Sequence, residues 1–283
     1  MKKLKGLGTA LITPFKADGS VDFDAFARLL DTQLTGSVDY IVVLGTTGEA
    51  ATMTEKEREE VRTFIRRYVK GRLPLVLGVG GNCTAAVCES LQTIDLTGFE
   101  AILSVCPYYN KPNQEGLFQH FCAVAKASPI PVILYNVPGR TGVNMLPETV
   151  MRIWEANPDK IVGIKEASGN VEQIKKLIDL AKGKLLVISG DDGIACEIME
   201  AGGAGLISVA SNAFAEDFYA IVHQKDQAKQ AQYDQMVKLL FKEGNPVGIK
   251  AVLAQKGIIQ NYLRLPLVPA SQTLQEEIKK ELA

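Results

Sequence analysis

Residues 161–168 read Ile-Val-Gly-Ile-Lys-Glu-Ala-Ser, an apolar run that contains one lysine, Lys165, near its end. The run lies between Pro158 and Gly169, and its length and apolar character predict a buried parallel strand. A lysine near the carboxyl end of such a strand lies at the mouth of an α/β fold, where ligands bind. An amine that is partly desolvated there is a usable nucleophile for Schiff-base chemistry with a carbonyl substrate. The alternative is an ordinary lysine that extends from a strand end into solvent, and this stretch alone does not choose between them.

Short β-branched runs of this kind alternate with helical stretches along the chain, which is typical of repeated βα units around a parallel sheet. The eight runs are Thr9–Phe15, Tyr40–Gly45, Leu75–Val79, Ala101–Cys106, Val132–Asn136, Ile161–Lys165, Leu185–Ser189 and Gly205–Val209. Eight units within about 210 residues predict a closed (β/α)8 barrel, or TIM barrel. An open doubly wound sheet is the main alternative, but no GxGxxG or GxxxxGK[ST] motif opens a helix in this chain.

After the eighth run the pattern predicts helices and no further strong strand. We therefore expect residues 1–212 to form the barrel core, and residues 213–283 to form the final barrel helix and a C-terminal helical extension. The added helices, which Asn245-Pro246 interrupts, could cover one end of the barrel or form a subunit contact. Within the core, Thr54 and Glu57 resemble a capping box at a helix start, and Pro147 suits the first turn of a helix.

The composition predicts a soluble globular protein, since 47% of the 283 residues are apolar and 22% are charged. The formal net charge of −1 indicates neither a nucleic-acid footprint nor a polybasic membrane anchor. The first residues lack the apolar region of a secretory signal, and no run approaches the roughly 18 apolar residues of a membrane-spanning helix. The five cysteines are odd in number and form no CxxC pair, which is typical of free thiols in a reducing compartment. We expect a cytoplasmic protein.

The carboxyl ends of barrel strands carry the chemistry, and the second predicted strand here ends in the hydroxyl-rich sequence GTTGE at Gly45–Glu49. Its glycines permit a tight backbone approach, and its amides together with the hydroxyls of Thr46 and Thr47 could bind a carboxylate. A plain turn is an equally good interpretation of this motif taken by itself.

Tyrosines and an arginine follow the fourth and fifth runs. Tyr108 and Tyr109 come after the fourth run, and Tyr135 lies near the end of the fifth. Each could be a core residue with a bonded hydroxyl, and this interpretation is stronger for Tyr108 than for Tyr135. Arg140, close to two glycines, offers a two-pronged donor for a carboxylate, although a lone arginine more often belongs to a surface ion pair.

Four motifs, in this order along the chain, together resemble the dihydrodipicolinate synthase/N-acetylneuraminate lyase family. They are GTTGE at Gly45–Glu49, PYYNKPNQEG at Pro107–Gly116, YNVPGRTG at Tyr135–Gly142 and IKEASG at Ile164–Gly169. The resemblance implies a class I pyruvate-dependent aldolase, built as a barrel with a Schiff-base lysine. The paired tyrosines and the arginine-bearing turn favour the synthase branch over the lyase branch. Further matches at Gly190-Asp191-Asp192, at 205–209 and at Asn245-Pro246 extend the resemblance over nearly the whole chain.

The resemblance implies that Lys165 forms an imine with pyruvate, whose nitrogen then acts as the electron sink for removal of a methyl proton. The enamine would attack L-aspartate 4-semialdehyde and give 4-hydroxy-tetrahydrodipicolinate, in diaminopimelate and lysine biosynthesis. No cofactor is needed for this route. No metal is expected either, because His120 and His223 are not spaced as metal ligands.

The resemblance also assigns roles to individual residues. Tyr135, Thr47 and Tyr109 would form a proton relay of hydroxyl groups, with Tyr109 supplied by a neighbouring subunit. This implies at least a dimer and usually a homotetramer built as a dimer of dimers. The remaining assignments are to substrate binding: Thr46 and Thr47 for the carboxylate of pyruvate, Arg140 for that of the semialdehyde, the Ile207 backbone for the pyruvate site, and, more weakly, Gly190.

Two other functions are compatible with parts of this pattern. N-acetylneuraminate lyase or another pyruvate-dependent sugar-acid aldolase would keep Lys165, Tyr135 and Thr47 but use a different second substrate. A non-catalytic barrel that binds pyruvate-like acids is less well supported, because the nucleophile and the relay hydroxyls are all present.

Regulation by the pathway's end product is a further expectation from the resemblance. Many synthases of this type bind lysine in a cleft at a dimer interface, where a glutamate pairs with the effector's ammonium. In this sequence Ala86 occupies the position of that glutamate, while Glu55 and Arg58 stand where histidines would be expected. The loss of the carboxylate partner predicts weak or absent inhibition by lysine.

Overall fold

Eight parallel strands close into a barrel in the part of the chain that the computed structural model describes, residues 2–283. The strands are β1 Gly6–Ala10, β2 Tyr40–Val43, β3 Leu75–Gly78, β4 Ala101–Val105, β5 Val132–Asn136, β6 Ile161–Glu166, β7 Leu186–Ser189 and β8 Gly205–Ser208. Each strand pairs with the next along the chain, and β8 pairs with β1 through the register Leu7 to Leu206. The predicted (β/α)8 barrel is confirmed, and the doubly wound alternative is excluded by this closure.

The first strand differs from the one expected at Thr9–Phe15, because it begins at Gly6 and ends at Ala10. The two glycines at its start have no β propensity, but Gly8 is needed there: a Cβ would lie 2.3 Å from the Tyr40 ring that fills the barrel. Beyond Ala10 the backbone leaves the ladder. The Ile12 amide donates to the side chain of Asn212, and Pro14 has no N–H to donate.

Helices surround the barrel and continue after β8. They are α1 Phe23–Thr35, α2 Glu55–Val69, α3 Thr84–Thr93, α4 Gln114–Ala127, α5 Pro138–Thr141, α6 Pro147–Ala156, α7 Val171–Ala181, α8 Ala195–Glu200, α9 Ala215–Gln224, α10 Gln227–Lys242, α11 Val247–Gln255 and α12 Gln272–Glu281. The capping box predicted for α2 is confirmed, since Thr54 accepts from the Glu57 amide and Glu57 accepts from the Thr54 amide. Pro147 is the first residue of α6, as its fixed φ angle favours.

The side chains of each strand alternate between the inside of the barrel and the layer beneath the helices. On β5, Ile133 and Tyr135 belong to the inner cluster, whereas Val132 and Leu134 pack in the outer layer. On β6, Ile164 packs in the outer layer and Glu166 contacts Gln173 of α7. The same alternation directs the residue between them, Lys165, to the inside.

The last helices pack on one another and return the chain to the mouth of the barrel. α10 contacts both α11 and α12, and Lys250 of α11 pairs with Glu49 just after β2. The division of the chain into a core of residues 1–212 and an extension of 213–283 stays a prediction. Within residues 2–283, the helices are all too short or too polar to cross a membrane.

Candidate active site

Lys165 lies on the inner face of β6, in register with Tyr135 of β5 and Ile188 of β7. It is only 6% exposed, so it is not a lysine that extends from a strand end into solvent. Its Nζ atom lies 4.6 Å from the centroid of the Tyr135 ring, which is within the range of a cation–π contact. The amine is therefore held against an aromatic hydroxyl-bearing residue inside the barrel mouth.

Gly190, at the end of β7, is packed against the stem of this lysine. A Cβ at Gly190 would lie 2.8 Å from Cε of Lys165 and 2.6 Å from Cβ of Ala167, distances that real side chains do not tolerate. Glycine is thus required at this position for Lys165 to lie as it does. Ile207, on β8, lies in the inner cluster and is buried.

Glu166, the next residue along β6, faces the opposite way from Lys165 and holds the strand end in place. Its carboxylate accepts from the Asn136 side chain at 3.0 Å and from the Ser168 amide at 2.9 Å. Burial raises the pKa of Glu166, an effect that these hydrogen bonds oppose. The contacts tie the end of β5 to the end of β6, and so fix the strand end from which Lys165 projects.

The GTTGE motif forms a tight turn after β2, with a short 3-10 helix over Thr46–Gly48. Glu49 closes the turn in the left-handed region at φ 54°, and the Gly48 carbonyl accepts from the Thr13 hydroxyl at 2.7 Å. Thr47 is buried, and its Oγ1 accepts from Nδ2 of Asn245 at 2.9 Å. Thr46 is exposed and lines the cavity described below. The motif is therefore more than a plain turn, because the Thr47 hydroxyl is buried and accepts a hydrogen bond from Asn245.

Arg140 lies on the short helix α5 beside the end of β5. Its Nη2 donates to the main-chain carbonyl of Asn245 at 3.1 Å. This bond uses one N–H of a guanidinium that has five, and the side chain lines the same cavity as Tyr135. The arginine is therefore held to the barrel mouth by a carbonyl group, and it keeps donors for a carboxylate.

The two adjacent tyrosines after β4 are both exposed in a single chain. Tyr108 lines the cavity and is exposed, so the core interpretation, which the sequence made stronger for Tyr108 than for Tyr135, does not hold for Tyr108. Tyr109 is 88% exposed, with its backbone in the left-handed region at φ 75°. Within one chain Tyr109 therefore points into solvent and is not brought together with Tyr135 and Thr47.

A cavity of about 420 Å³ opens at the carboxyl ends of the strands. Thr46, Tyr135 and Arg140 line one part of it, and Glu55, Arg58 and Arg62 of α2 line the other. Tyr135 contacts both this cavity and the amine of Lys165. The volume is that of a small-molecule site, with apolar walls and a few polar groups that converge.

Two residues near the site were not predicted as part of it. Asn245 was identified as part of a break between helices and of a further family match, with no role assigned, yet it contacts both Thr47 and Arg140. Lys250 is fully buried, pairs with Glu49, donates to the Tyr262 carbonyl at 3.0 Å, and has a pKa that burial lowers to about 8. Lys250 is the single lysine of the otherwise apolar helix α11, so the pattern that identified Lys165 in β6 could also have identified it.

Known proteins resemble this chain over its whole length. The model of the Dihydrodipicolinate synthetase family matches residues 3–283. The 4-hydroxy-tetrahydrodipicolinate synthases of Parabacteroides distasonis and Phocaeicola vulgatus are 48% and 47% identical, covering 99% and 98% of this chain and 96% and 95% of their own lengths. The solved dihydrodipicolinate synthase of Thermotoga maritima is 39% identical with a TM-score of 0.94, covering 98% of this chain and 97% of that one. The chain belongs to the dihydrodipicolinate synthetase family.

Proposed function

We propose that Lys165 is the amine through which this chain condenses pyruvate with L-aspartate 4-semialdehyde to give 4-hydroxy-tetrahydrodipicolinate. The condensation is a step of diaminopimelate and lysine biosynthesis, and the enzyme is a lyase. The observation that carries the residue assignment is the buried position of Lys165, with its amine 4.6 Å from the Tyr135 ring centroid. The sugar-acid aldolase alternative is not favoured, because the full-length relatives carry the synthase name.

The reaction proceeds through a covalent bond to the lysine. The amine of Lys165 attacks the ketone carbon of pyruvate, and loss of water leaves a protonated imine. Removal of a proton from the methyl carbon moves an electron pair onto the nitrogen and gives an enamine. The enamine carbon attacks the aldehyde of the second substrate, forming the new C–C bond and an alkoxide that takes up a proton. The amine of the product then attacks the imine carbon, and the lysine leaves.

Each of these proton transfers requires a group that both donates and accepts, and hydroxyls do so. Tyr135 lies against the amine, and Thr47 is a buried hydroxyl in the turn after β2. We assign these two residues to the relay, with Tyr109 from a neighbouring copy of the chain as the third member. The exposure of Tyr109 in a single chain supports its use in a second copy.

The two substrates' carboxylates are assigned to different groups at the barrel mouth. The Thr46–Thr47 turn binds pyruvate through its hydroxyls and amides, and the Ile207 backbone and Gly190 form the adjacent wall. Arg140, which has donors to spare, binds the carboxylate of the semialdehyde.

A site that needs Tyr109 from a second copy implies an oligomer, and we propose a homotetramer arranged as a dimer of dimers. One solved relative, 39% identical to this chain, is described as a monomeric dihydrodipicolinate synthase variant. Sedimentation of this chain would distinguish a tetramer from a monomer. A cytoplasmic location also stays a prediction.

Trapping with borohydride tests the assignment of Lys165. Incubation with pyruvate and borohydride should reduce the imine and leave a lactyl-type adduct on the peptide that contains Lys165, detected by mass spectrometry. Lys165→Ala should not be labelled, whereas Lys160→Met, which removes a lysine that donates to the Ser128 carbonyl at the opposite end of β6, should still be labelled at Lys165. Equal labelling of Lys165→Ala would show that another amine is the nucleophile.

A further inference from the structure

Lys250 and Glu49 form a buried ion pair that joins the helix α11 to the turn after β2. Their side chains are at most 1% exposed, and lysine and glutamate are almost never buried to this extent unless they are paired. Loss of either partner would leave the other as an uncompensated charge in the interior. The pair therefore fixes Glu49 relative to α11.

The amine of Lys250 is surrounded by partners within the protein. Besides its pair with Glu49, it donates to the main-chain carbonyl of Tyr262 at 3.0 Å, and its Nζ lies 4.2 Å from the centroid of the Phe15 ring. A cation at this distance is attracted to the face of an aromatic ring. Because the side chain is fully buried among these groups, Lys250 serves as the cation for Glu49 and is not a second nucleophile beside Lys165.

The backbone of Glu49 closes the turn to which its side chain is anchored. Its N–H donates to the Thr46 carbonyl at 3.1 Å, and its own carbonyl accepts from the Thr52 amide at 3.0 Å. Its φ of 54° lies in the left-handed region, where a residue other than glycine stays only if its surroundings hold it. The contacts of its carboxylate with Lys250 and with the Arg264 amide supply this hold.

Thr46 is the residue through which a shift of this backbone would reach the site. It lines the cavity together with Tyr135 and Arg140. The direction of the amides in the turn depends on the conformation of the main chain, so their ability to bind an anion depends on it too. Lys165 projects from β6, outside the turn, and does not depend on this conformation.

We propose that Lys250 and Glu49 are positioning residues for pyruvate, because their ion pair holds the turn after β2 in the conformation that binds the substrate's carboxylate. This role rests on the proposed binding of that carboxylate by the Thr46–Thr47 turn. Pyruvate then has two parts with different requirements: the carboxylate needs the ion pair, and the ketone needs Lys165. A ketone that lacks a carboxylate separates the two.

Lys250→Met is the first variant, because methionine fills much of the space of the lysine stem and carries no charge. Borohydride trapping is run at limiting pyruvate and, separately, at limiting acetone, in which a methyl group replaces the carboxylate. Mass spectrometry quantifies the adduct on the peptide that contains Lys165. We expect the rate of pyruvate labelling to fall roughly 10- to 100-fold, since a misplacement of about 1 Å can cost this much. Acetone labelling should be unchanged.

Glu49→Gln removes the other charge while it keeps the size of the side chain and an acceptor for the Arg264 amide. It should lower pyruvate labelling selectively as well, and it carries the test if Lys250→Met fails to fold. The double variant Glu49→Gln/Lys250→Met leaves no buried charge unpaired. If the two residues act as one unit, its pyruvate labelling should be no lower than that of the weaker single variant.

Lys229→Met is a matched control, because Lys229 of α10 pairs with Asp217 of α9 at 2.6 Å, in the same C-terminal part of the chain. It should leave labelling by both ketones unchanged.

Equal losses of pyruvate and acetone labelling in Lys250→Met and Glu49→Gln would show that the pair only maintains the fold, and would overturn the proposal. Pyruvate labelling at the wild-type rate in both variants would overturn it too. A wild-type protein that is labelled equally by the two ketones would instead remove the carboxylate-binding role of the turn. A wild-type protein that pyruvate does not label at Lys165 would remove the proposed function itself.

Discussion

Arg140 is held at the barrel mouth by its bond to the Asn245 carbonyl, and its remaining donors are the proposed site for the semialdehyde carboxylate. Arg140→Ala should lower kcat/KM for the semialdehyde by about 10- to 150-fold, since a charge-assisted bond contributes roughly 1.5–3 kcal/mol. Imine formation with pyruvate should be retained. The measurement is steady-state kinetics with the semialdehyde varied, together with borohydride trapping.

Arg152→Ala is the control for this substitution, because Arg152 pairs with Glu115 in an exposed ion pair on the outer helices. It should leave the kinetics unchanged. Unaltered semialdehyde kinetics in Arg140→Ala would remove Arg140 from the site and reopen the alternative of another aldehyde substrate.

The sequence could predict a site residue when a local pattern determines its position. It could not do so when the position depends on a contact that is distant in sequence. Lys165 and Tyr135 lie near the carboxyl ends of regular strands, so the carboxyl-end rule predicted both at the barrel mouth, whereas their inward direction is seen only in the structure. The partner of Thr47 is 198 residues away, at a break whose side-chain direction no periodicity describes. Tyr108 lies in the loop after β4, where strand alternation gives no side-chain direction, so its exposure was not predictable from the sequence.

The helix α4 carries a buried histidine that should make the protein sensitive to acid. His120 is 3% exposed, its Nδ1 contacts the Thr84 hydroxyl at 2.9 Å, and burial lowers its pKa from 6.5 to about 4. The unfolded chain therefore binds this proton first, and stability is lost as pH falls from about 6.5 toward 4. The full loss is on the order of 3 kcal/mol.

His120→Gln should remove this part of the acid sensitivity. We expect the free energy of unfolding, measured with urea at pH 7 and at pH 4.5, to fall less in the variant than in the wild type. Equal losses in the two proteins would show that His120 does not titrate on unfolding in this interval.

At the level of elements, capping and periodicity predicted most boundaries closely, and the exceptions have identifiable causes. β1 begins in a glycine-containing segment without β-branched residues, where pairing with β8 and the Tyr40 ring impose the strand. The buried pair of Lys250 and Glu49 joins α11 to the turn after β2, a contact that no local signal in either segment predicts.

At the scale of the whole molecule, the cavity extends from the site to α2, where the effector cleft of lysine-sensitive relatives would be expected. Glu55 lies in this part, but it already pairs with Arg62 at 2.7 Å and with Arg58 at 3.4 Å. Its carboxylate is therefore a poor substitute for the glutamate that Ala86 replaces. We predict weak or absent inhibition by L-lysine at millimolar concentration, measured in a steady-state assay at limiting pyruvate.

Ala86→Glu tests the same idea in the opposite direction, since it restores a carboxylate and should increase sensitivity to L-lysine. Strong inhibition of the wild type at submillimolar L-lysine would contradict the prediction and show that Glu55 or another group binds the ammonium.

Because a ribosome builds a chain from its N-terminal end, Asn245, 198 residues after Thr47, is added roughly 10–40 seconds later at the usual 5–20 residues per second. β8 ends at Ser208, so the strands needed to close the barrel are available before Asn245, Lys250 and Arg264 are made. Until those residues arrive, the turn that carries Thr47 has its contact with Thr13 but lacks these three later partners. The strands of the barrel that encloses Lys165 therefore leave the ribosome before the later residues that contact the turn after β2.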